Sequence, residues 1–396
     1  MTRATELMAA IEAIGPGLGS RARESEELGR LSPETFTALQ GAGMFDMLIA
    51  QDYGGIELSS LDYLRAVERL MYHDGASGWV TMASRVSTAL ASAFLPDRGA
   101  DEVFGSKLSI VAGQGAPNGK AEAVNGGFVL NGRWNYGSGT LHCDYVLAGA
   151  FVFDNGQRRD LGGGRPEMRL FIVPRAEVQL EGNWDVLGLQ ATGSVDYSMS
   201  DVFVPESRCF PTASREPKRG GKFFTLGLSG FTALGHSAFA LGLGRRALDE
   251  IVEVYRVRAQ RRPQGPAATV DLGAFSLAYG AAEAKFQAAR ALVYDVWTDI
   301  QASLDEDGTF TTEQLTRARL ALNHVTTVAV DVCTFAYRTG GGIALRESLL
   351  QRCFREVNVG AQHLQTTEEV LRECGRALAG FAEGEVWEGV KLVPAR

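Results

Sequence analysis

Apolar residues return every three or four positions through the first hundred or so residues, and this period predicts helices. In LSPETFTALQGAGMF the entry is explicit: Ser32 caps, Pro33 takes the first helical position, and a glycine ends the element. SSLDYLRAVERLMYH predicts a second helix, capped by Ser60, with Leu61, Leu64, Val67 and Leu70 on one face. From residue 111 to 212 the texture changes to short runs rich in β-branched and aromatic residues. AEAVNGGFVLNGRW reads as strand, Asn-Gly-Gly turn and strand, and DYVLAGAFVF, MRLFIVP and SMSDVFVP are further strands. DNGQRRDLGGGRPE, polar and glycine-rich, is expected to be an exposed loop. After PTASREPKRGG the helical period resumes and runs to the end. The expectation is an α+β chain: an N-terminal helical domain over 1–110, a central antiparallel β-domain over 111–212 and a C-terminal four-helix bundle over 213–396.

One late segment, QRCFREVNVGAQHLQTTEEV, reads as a single amphipathic helix. At about 100° per residue, Phe354, Val357, Ala361 and Leu364 form one stripe, while Val359, His363, Thr366 and Val370 gather nearly opposite. A helix with two semi-apolar faces is buried from two sides. Its imidazole then meets either a packed neighbour or a cavity, so His363 is read as packing or as chemistry.

Composition narrows the options. A 396-residue chain with 45% hydrophobic and 22% charged residues is ordinary for a globular protein with interior enough for a cofactor. Its net charge of −8 and the lack of a basic stripe argue against nucleic acid or an anionic membrane as partner. Uninterrupted apolar runs fall short of the roughly 18 residues a membrane span needs. The opening MTRATELMAAIEAIG lacks a cleavable apolar core, so a cytoplasmic location is expected. Five cysteines and five histidines lie scattered without metal-ligand spacing, and neither disulfides nor a metal are expected. GLGRRA at Gly242 to Ala247 is close to a dinucleotide fingerprint. It lies inside a helical pattern with no preceding strand, which points to close helix packing and against a nicotinamide-binding domain.

Three segments, LQGAGMFDMLIAQDYGGIELSSLDYLRAVE, NWDVLGLQATGSVDYSMSDVFVPES and YRTGGGIALRESLLQRCFREV, resemble the acyl-CoA dehydrogenase superfamily in matching order and at matching intervals. The resemblance spans nearly the whole chain. It implies a flavin site between the β-domain and the C-terminal bundle, in a homotetramer built as two dimers. Dehydrogenases of that family need a carboxylate to remove an α-proton. Here VGAQHLQTT and FFTLGLSGFTALGHSAFALGLG hold no acid at either expected place.

NGRWNYGSGTLHCDYVLAG is similar instead to the flavin-dependent hydroxylases of the same fold, the oxygenase components of two-component systems, whose other signature is a histidine after the Gly-Gly segment; His363 fits it. That resemblance implies reduced flavin (FAD or FMN) and molecular oxygen, an oxygen-transferring flavin C4a-hydroperoxide, and a separate NAD(P)H-dependent flavin reductase. Its small aromatic substrate is of phenol or indole type, with an amino-sugar nitrogen or a sulfur heterocycle next. It assigns Ser138 to the flavin nitrogen 5 region and His363 as general base or hydrogen-bond partner of the substrate. Trp134, Thr192 and Ser194 become flavin contacts, with Gly193 allowing close backbone approach; β-domain core and turn chemistry is the other reading of all four. Arg258 with Gly340, Gly341 and Gly342 resembles the elements that hold pyrophosphate and adenine across a dimer interface, though a solvated helix face would also explain the arginine. Gln190 stands where relatives often have arginine. Trp79 and Ser84 are candidates to line the substrate cavity, His236 borders it or serves the core, and His142 is structural. The rival reading is an acyl-CoA dehydrogenase with a displaced base; a third is a flavin-binding scaffold without activity.

Overall fold

The computed structural model describes residues 2–260 and 271–395. Six helices come first: α1 (Arg3–Ser20), α2 (Ala22–Leu28), α3 (Pro33–Gly41), α4 (Ser60–His73), α5 (Gly75–Phe94) and α6 (Asp97–Phe104). The Ser32 cap and Pro33 entry of α3 form as expected, with the Ser32 hydroxyl accepting from the Thr35 N–H. The cap of α4 is Ser59 instead of Ser60, because Ser59 supplies the oxygen that takes the Asp62 N–H and Ser60 is already helical.

Eight strands follow: β1 (Val111–Val124), β2 (Gly127–Trp134), β3 (Tyr145–Asp154), β4 (Gln157–Arg158), β5 (Met168–Pro174), β6 (Gln179–Leu180), β7 (Tyr197–Pro205) and β8 (Cys209–Pro211). They form one sheet in the order β6-β7-β2-β1-β3-β5-β8, with β4 on β3. The hairpin β1–β2 turns at Asn125 and Gly126. The sheet is mixed, not purely antiparallel: after β2 the chain passes the end of β1 and returns along its other edge, so β1 and β3 pair in parallel. Alternation and propensity locate strands but carry no information on direction, which the crossing at 135–144 decides.

The third part holds α7 (Gly227–Gln260), α8 (Leu272–Glu306), α9 (Thr312–Gly340), α10 (Gly342–Leu345), α11 (Leu349–Gly360) and α12 (Glu368–Leu378), then a hairpin of β9 (Glu385–Glu388) and β10 (Lys391–Pro394). Helices α7, α8 and α9 pack together with the shorter α11 as the fourth member, and α4 lies on α7. By length and composition α7 is apolar enough to cross a membrane, yet 83% of its most apolar window is buried in the protein core. Its glycines explain GLGRRA: a Cβ on Gly242 would sit 2.4 Å from Met71 Cβ of α4, and one on Gly244 2.8 Å from Phe286 of α8. Close helix packing is therefore what that motif does.

The segment expected as one helix over 351–370 is two helices and a turn. Gly360 ends α11, and Thr366 Oγ1 bonds the carbonyls of Ala361 (2.9 Å) and His363 (2.7 Å), offering the backbone a partner outside the helix ladder. His363 lies in this turn, as the cap of a short 3-10 helix over Leu364–Thr366.

Candidate functional site

Two turns at the ends of paired strands build one wall. Trp134, last in β2, faces Tyr197, first in β7, and the register continues as the Gly137 N–H donates to the Val195 carbonyl at 2.9 Å. Ser138 and Ser194, one in each turn, are thereby held with their hydroxyls 2.7 Å apart. The opposite wall comes from α5, whose first turn carries Trp79, from His236 and Phe239 on α7, and from His363.

The hydroxyls form a chain with only one possible direction. The Leu189 carbonyl can only accept, so Thr192 donates to it at 2.7 Å. A hydroxyl has one hydrogen. Thr192 must then accept from Ser194 (2.7 Å), and Ser194 must accept from Ser138. Ser138 in turn accepts from the Trp79 indole N–H at 3.0 Å. Every hydrogen is committed, and half-buried Ser138 keeps one free lone pair to offer outward.

The two imidazoles have fixed tautomers as well. His363 Nδ1 accepts from the Gln365 backbone N–H at 3.2 Å. Burial, with His236 adding to it, pushes its pKa well down, so the neutral ring carries its hydrogen on Nε2. His236 is the mirror case: Nδ1 lies 2.9 Å from the Thr232 carbonyl and must donate to it. Burial lowers His236 to about 4, which leaves Nε2 bare. That nitrogen is buried without a partner. The rings stack with centroids 3.9 Å apart, and Trp79 meets His236 and Phe239 edge-on at 5.1 and 4.8 Å. Gly360 permits this packing, since a Cβ there would lie 2.3 Å from Phe239 and 3.0 Å from Trp79.

The structure thus brings together Trp79, Ser138, Thr192, Ser194, His236 and His363. It corrects several expectations. Of the two roles expected for His363, base and hydrogen-bond partner, the geometry favours the second, because the lone pair on Nδ1 already receives the Gln365 N–H. Trp134 is core: fully buried, stacked on Tyr197 at 5.4 Å, with its N–H on the Gly149 carbonyl at 2.8 Å, it has no face left for a ligand. Ser84 is fully buried, and its hydroxyl bonds the Val80 carbonyl of its own helix at 2.7 Å. Thr192 is buried, and its hydroxyl lies 2.7 Å from that of Ser194. Gly193 is needed for a left-handed φ of 52° and for room beside Leu141, whose Cδ1 would lie 2.3 Å from a Cβ. Gln190 folds back on the Val186 carbonyl at 2.9 Å.

Arg258 and the glycine segment do meet, with the guanidinium bonding the carbonyls of Thr339 (3.2 Å) and Gly340 at the end of α9, beside Gly341 and Gly342. His142 stacks on Phe36 at 4.9 Å, as a structural residue should.

None of the side chains bonded to or stacked on these rings and hydroxyls is a carboxylate. Glu356, seven residues before His363, points toward Gly75 instead, and burial raises it to about 8, with Asp74 adding to the shift. Sequence reasoning missed this buried acid, although Glu356 sits on the apolar stripe side between Cys353 and Val357. A cavity of about 490 Å³, lined by Arg23, Glu26, Arg246, Glu347, Arg352 and Arg355, shares no residue with the site.

Family models match two parts of the chain. A model described as "Acyl-CoA dehydrogenase, N-terminal domain" matches residues 14–102, and one described as "Acyl-CoA dehydrogenase, C-terminal domain" matches 234–368. The chain is 31% identical over 379 residues to an indole-3-acetate monooxygenase of Pseudomonas putida, covering 94% of this chain and 93% of that one. It is 28% identical over 373 residues to a pigment production hydroxylase of Rhodococcus erythropolis, covering 90% and 92%. The crystal structure of the HsaA monooxygenase from M. tuberculosis superposes with a TM-score of 0.87 at 25% identity, over 98% of this chain and 99% of that one. XiaF from a Streptomyces species, in complex with FADH2 and glycerol, gives 0.85 at 25% identity over 99% and 98%. The chain belongs to the acyl-CoA dehydrogenase superfamily and, within it, to the branch of flavin-dependent monooxygenases.

Proposed function

We propose that this chain is the oxygenase component of a two-component flavin-dependent monooxygenase that hydroxylates a small aromatic substrate of phenol or indole type. The observation that carries the reading is the one-way hydroxyl chain. It leaves Ser138 as an acceptor, and an acceptor suits reduced flavin, which bears a hydrogen on nitrogen 5 where oxidised flavin bears none. The residues present therefore fit the reduced cofactor. When bound, that cofactor supplies the activation of dioxygen and the oxygen atom delivered to the ring.

The chain's own residues do the remainder. Ser138, fixed by Trp79 on one side and Ser194 on the other, orients the cofactor ring. His363 donates from Nε2 toward oxygen on which negative charge develops, and its neutral state is kept by burial and by the Gln365 N–H. The faces of Trp79, His236 and Phe239 exclude water from the reacting ring. Arg258, with donors of its guanidinium beyond the two bonds to α9, and Gly340 to Gly342 are the elements we assign to the phosphate end of the cofactor. Reduced flavin comes from a separate NAD(P)H-dependent reductase, and the working form is a homotetramer in the cytoplasm.

Single-turnover mixing tests this. Protein loaded with chemically reduced flavin is mixed with heavy-isotope dioxygen and indole or phenol. The expected result is a hydroxylated ring carrying the label, read by mass spectrometry. Unlabelled or absent product with every aromatic tried, together with bleaching of oxidised flavin by an acyl-CoA, would return the chain to the dehydrogenases.

A further inference from the structure

The proposed function uses the face of the His236 ring and leaves its Nε2 without a role. His236 lies on α7 four residues after Thr232, and its Nδ1–H donates back to that carbonyl at 2.9 Å, which fixes the ring and turns Nε2 away from the helix. Nε2 carries a lone pair, is buried, and has no donor. Buried polar atoms are nearly always satisfied, and a bare one inside a ligand site marks where a ligand's hydrogen belongs. The cover over it is the His363 ring at 3.9 Å and the Trp79 ring at 5.1 Å, both on half-buried side chains that themselves border the site. His363 is not that donor: its ring lies tilted by 35° against His236, and no hydrogen bond from it reaches His236 Nε2.

Resting on the aromatic-oxygenase reading, we infer that His236 Nε2 is the specificity-determining acceptor for the N–H or O–H hydrogen of the substrate, so that the site selects aromatic rings bearing such a donor over otherwise equal rings without one. A ring entering between Trp79 and His363 reaches this nitrogen, and the bond orients it relative to the cofactor. The two imidazoles then divide the work. His363 donates to oxygen, and His236 accepts from the substrate. A site that leaves a buried acceptor unpaired with the wrong ligand discriminates more strongly than one differing only in bulk.

The test is the binding of matched pairs, indole against 1-methylindole and phenol against anisole, to the full chain held anaerobically with reduced FMN and, in parallel, reduced FAD. Wild type should bind the donor-bearing member roughly tenfold more tightly. His236→Phe keeps the stacked ring, lacks the acceptor, and should reduce that preference to within about twofold; His236→Gln, with an amide oxygen near the place of Nε2, should restore part of it. Equal affinity within both wild-type pairs, no binding of either member, or a preference undiminished in His236→Phe would overturn the inference, the last by showing that bulk alone decides. If His236→Phe does not fold, nitrogen NMR of the histidine-labelled wild-type chain decides. The bare His236 Nε2 resonance should shift on adding indole and stay in place with 1-methylindole, and a resonance unmoved by indole overturns the proposal. The labelled-dioxygen experiment is independent of these measurements, so hydroxylation without donor preference would sink this inference and leave the function standing.

Discussion

On the sheet side of the site every hydrogen of Ser138, Ser194 and Thr192 has an acceptor, ending on the Leu189 carbonyl, and Ser138 also takes the Trp79 N–H from across the site. On the helix side His236 keeps a buried nitrogen with no donor. The first wall is complete before any ligand arrives, so it orients a ring without reorganising. The second is incomplete in the free protein, and that deficit is what a ligand can relieve. Satisfied networks give rigidity, while unsatisfied atoms give selectivity and lower stability.

The largest expected effect separates the two walls by pH, since only the helix side carries imidazoles, which take up protons near neutrality once the chain unfolds. Unfolded histidines protonate near pH 6.5. Folded His236 and His142 stay neutral down to about 4, and His363 and His73 are also lowered, all chiefly by burial. Protons therefore bind the unfolded chain preferentially in this window. Stability should fall as pH drops from about 6.5 toward 4, by about 3 kcal/mol for His236 alone. Glu356 acts in the opposite sense: raised to about 8, it is protonated when folded and ionised when unfolded, so its contribution is lost as pH rises from 4.5 through 8. Denaturant titrations should place maximal stability near pH 6.5, and Glu356→Gln should flatten the limb above it and steepen the one between 4.5 and 6.5. A stability curve flat between pH 4.5 and 6.5 would contradict neutral buried imidazoles.

Next in size is His363→Ala. Removing a donor aimed at developing charge typically lowers rate about 100-fold or more. We expect that loss in labelled product per turnover, beyond the modest drop in thermal midpoint that follows from losing the cap on the Gln365 N–H.

Trp134→Phe sharpens the assignment of core against site. It should cost about 1–3 kcal/mol by leaving the Gly149 carbonyl unpaired and a void beside Tyr197, without changing affinity for reduced flavin. A selective loss of flavin would make Trp134 a ligand contact after all.

The smallest effects probe the direction of the hydroxyl chain. Ser138→Ala should weaken reduced flavin about tenfold in anaerobic titrations and oxidised flavin less. Ser194→Ala should narrow the gap between the two redox states by a few-fold, because it frees the Ser138 hydrogen to be donated outward.

Much of the fold was legible where local chemistry decides it. The Ser32-Pro33 entry, the Asn125-Gly126 turn and the small-residue run of α7 each state their geometry in a few residues. Strand direction was not, since the parallel β1–β3 pair depends on where the chain crosses after Trp134. The broken helix around His363 could have been seen: Gly360 is a stop, and Thr367 followed by Glu368 and Glu369 has the form of a fresh start. Periodicity alone ran across both signals. The resemblance put Ser138 and His363 forward as candidates and the carboxylate-free helix put forward His236, but neither tells which nitrogen holds a hydrogen. That depends on the Gln365 N–H and the Thr232 carbonyl, backbone groups that only the folded chain brings into place.

At Gly360 the end of α11 presses on Phe239 and on Trp79, and Trp79 heads the hydroxyl chain. One missing methyl group on the late helix therefore sets how far the indole can lean toward Ser138. It is a mechanical stop, and a side chain added there would push on Phe239 and Trp79 and so strain the Trp79–Ser138 bond from a distance.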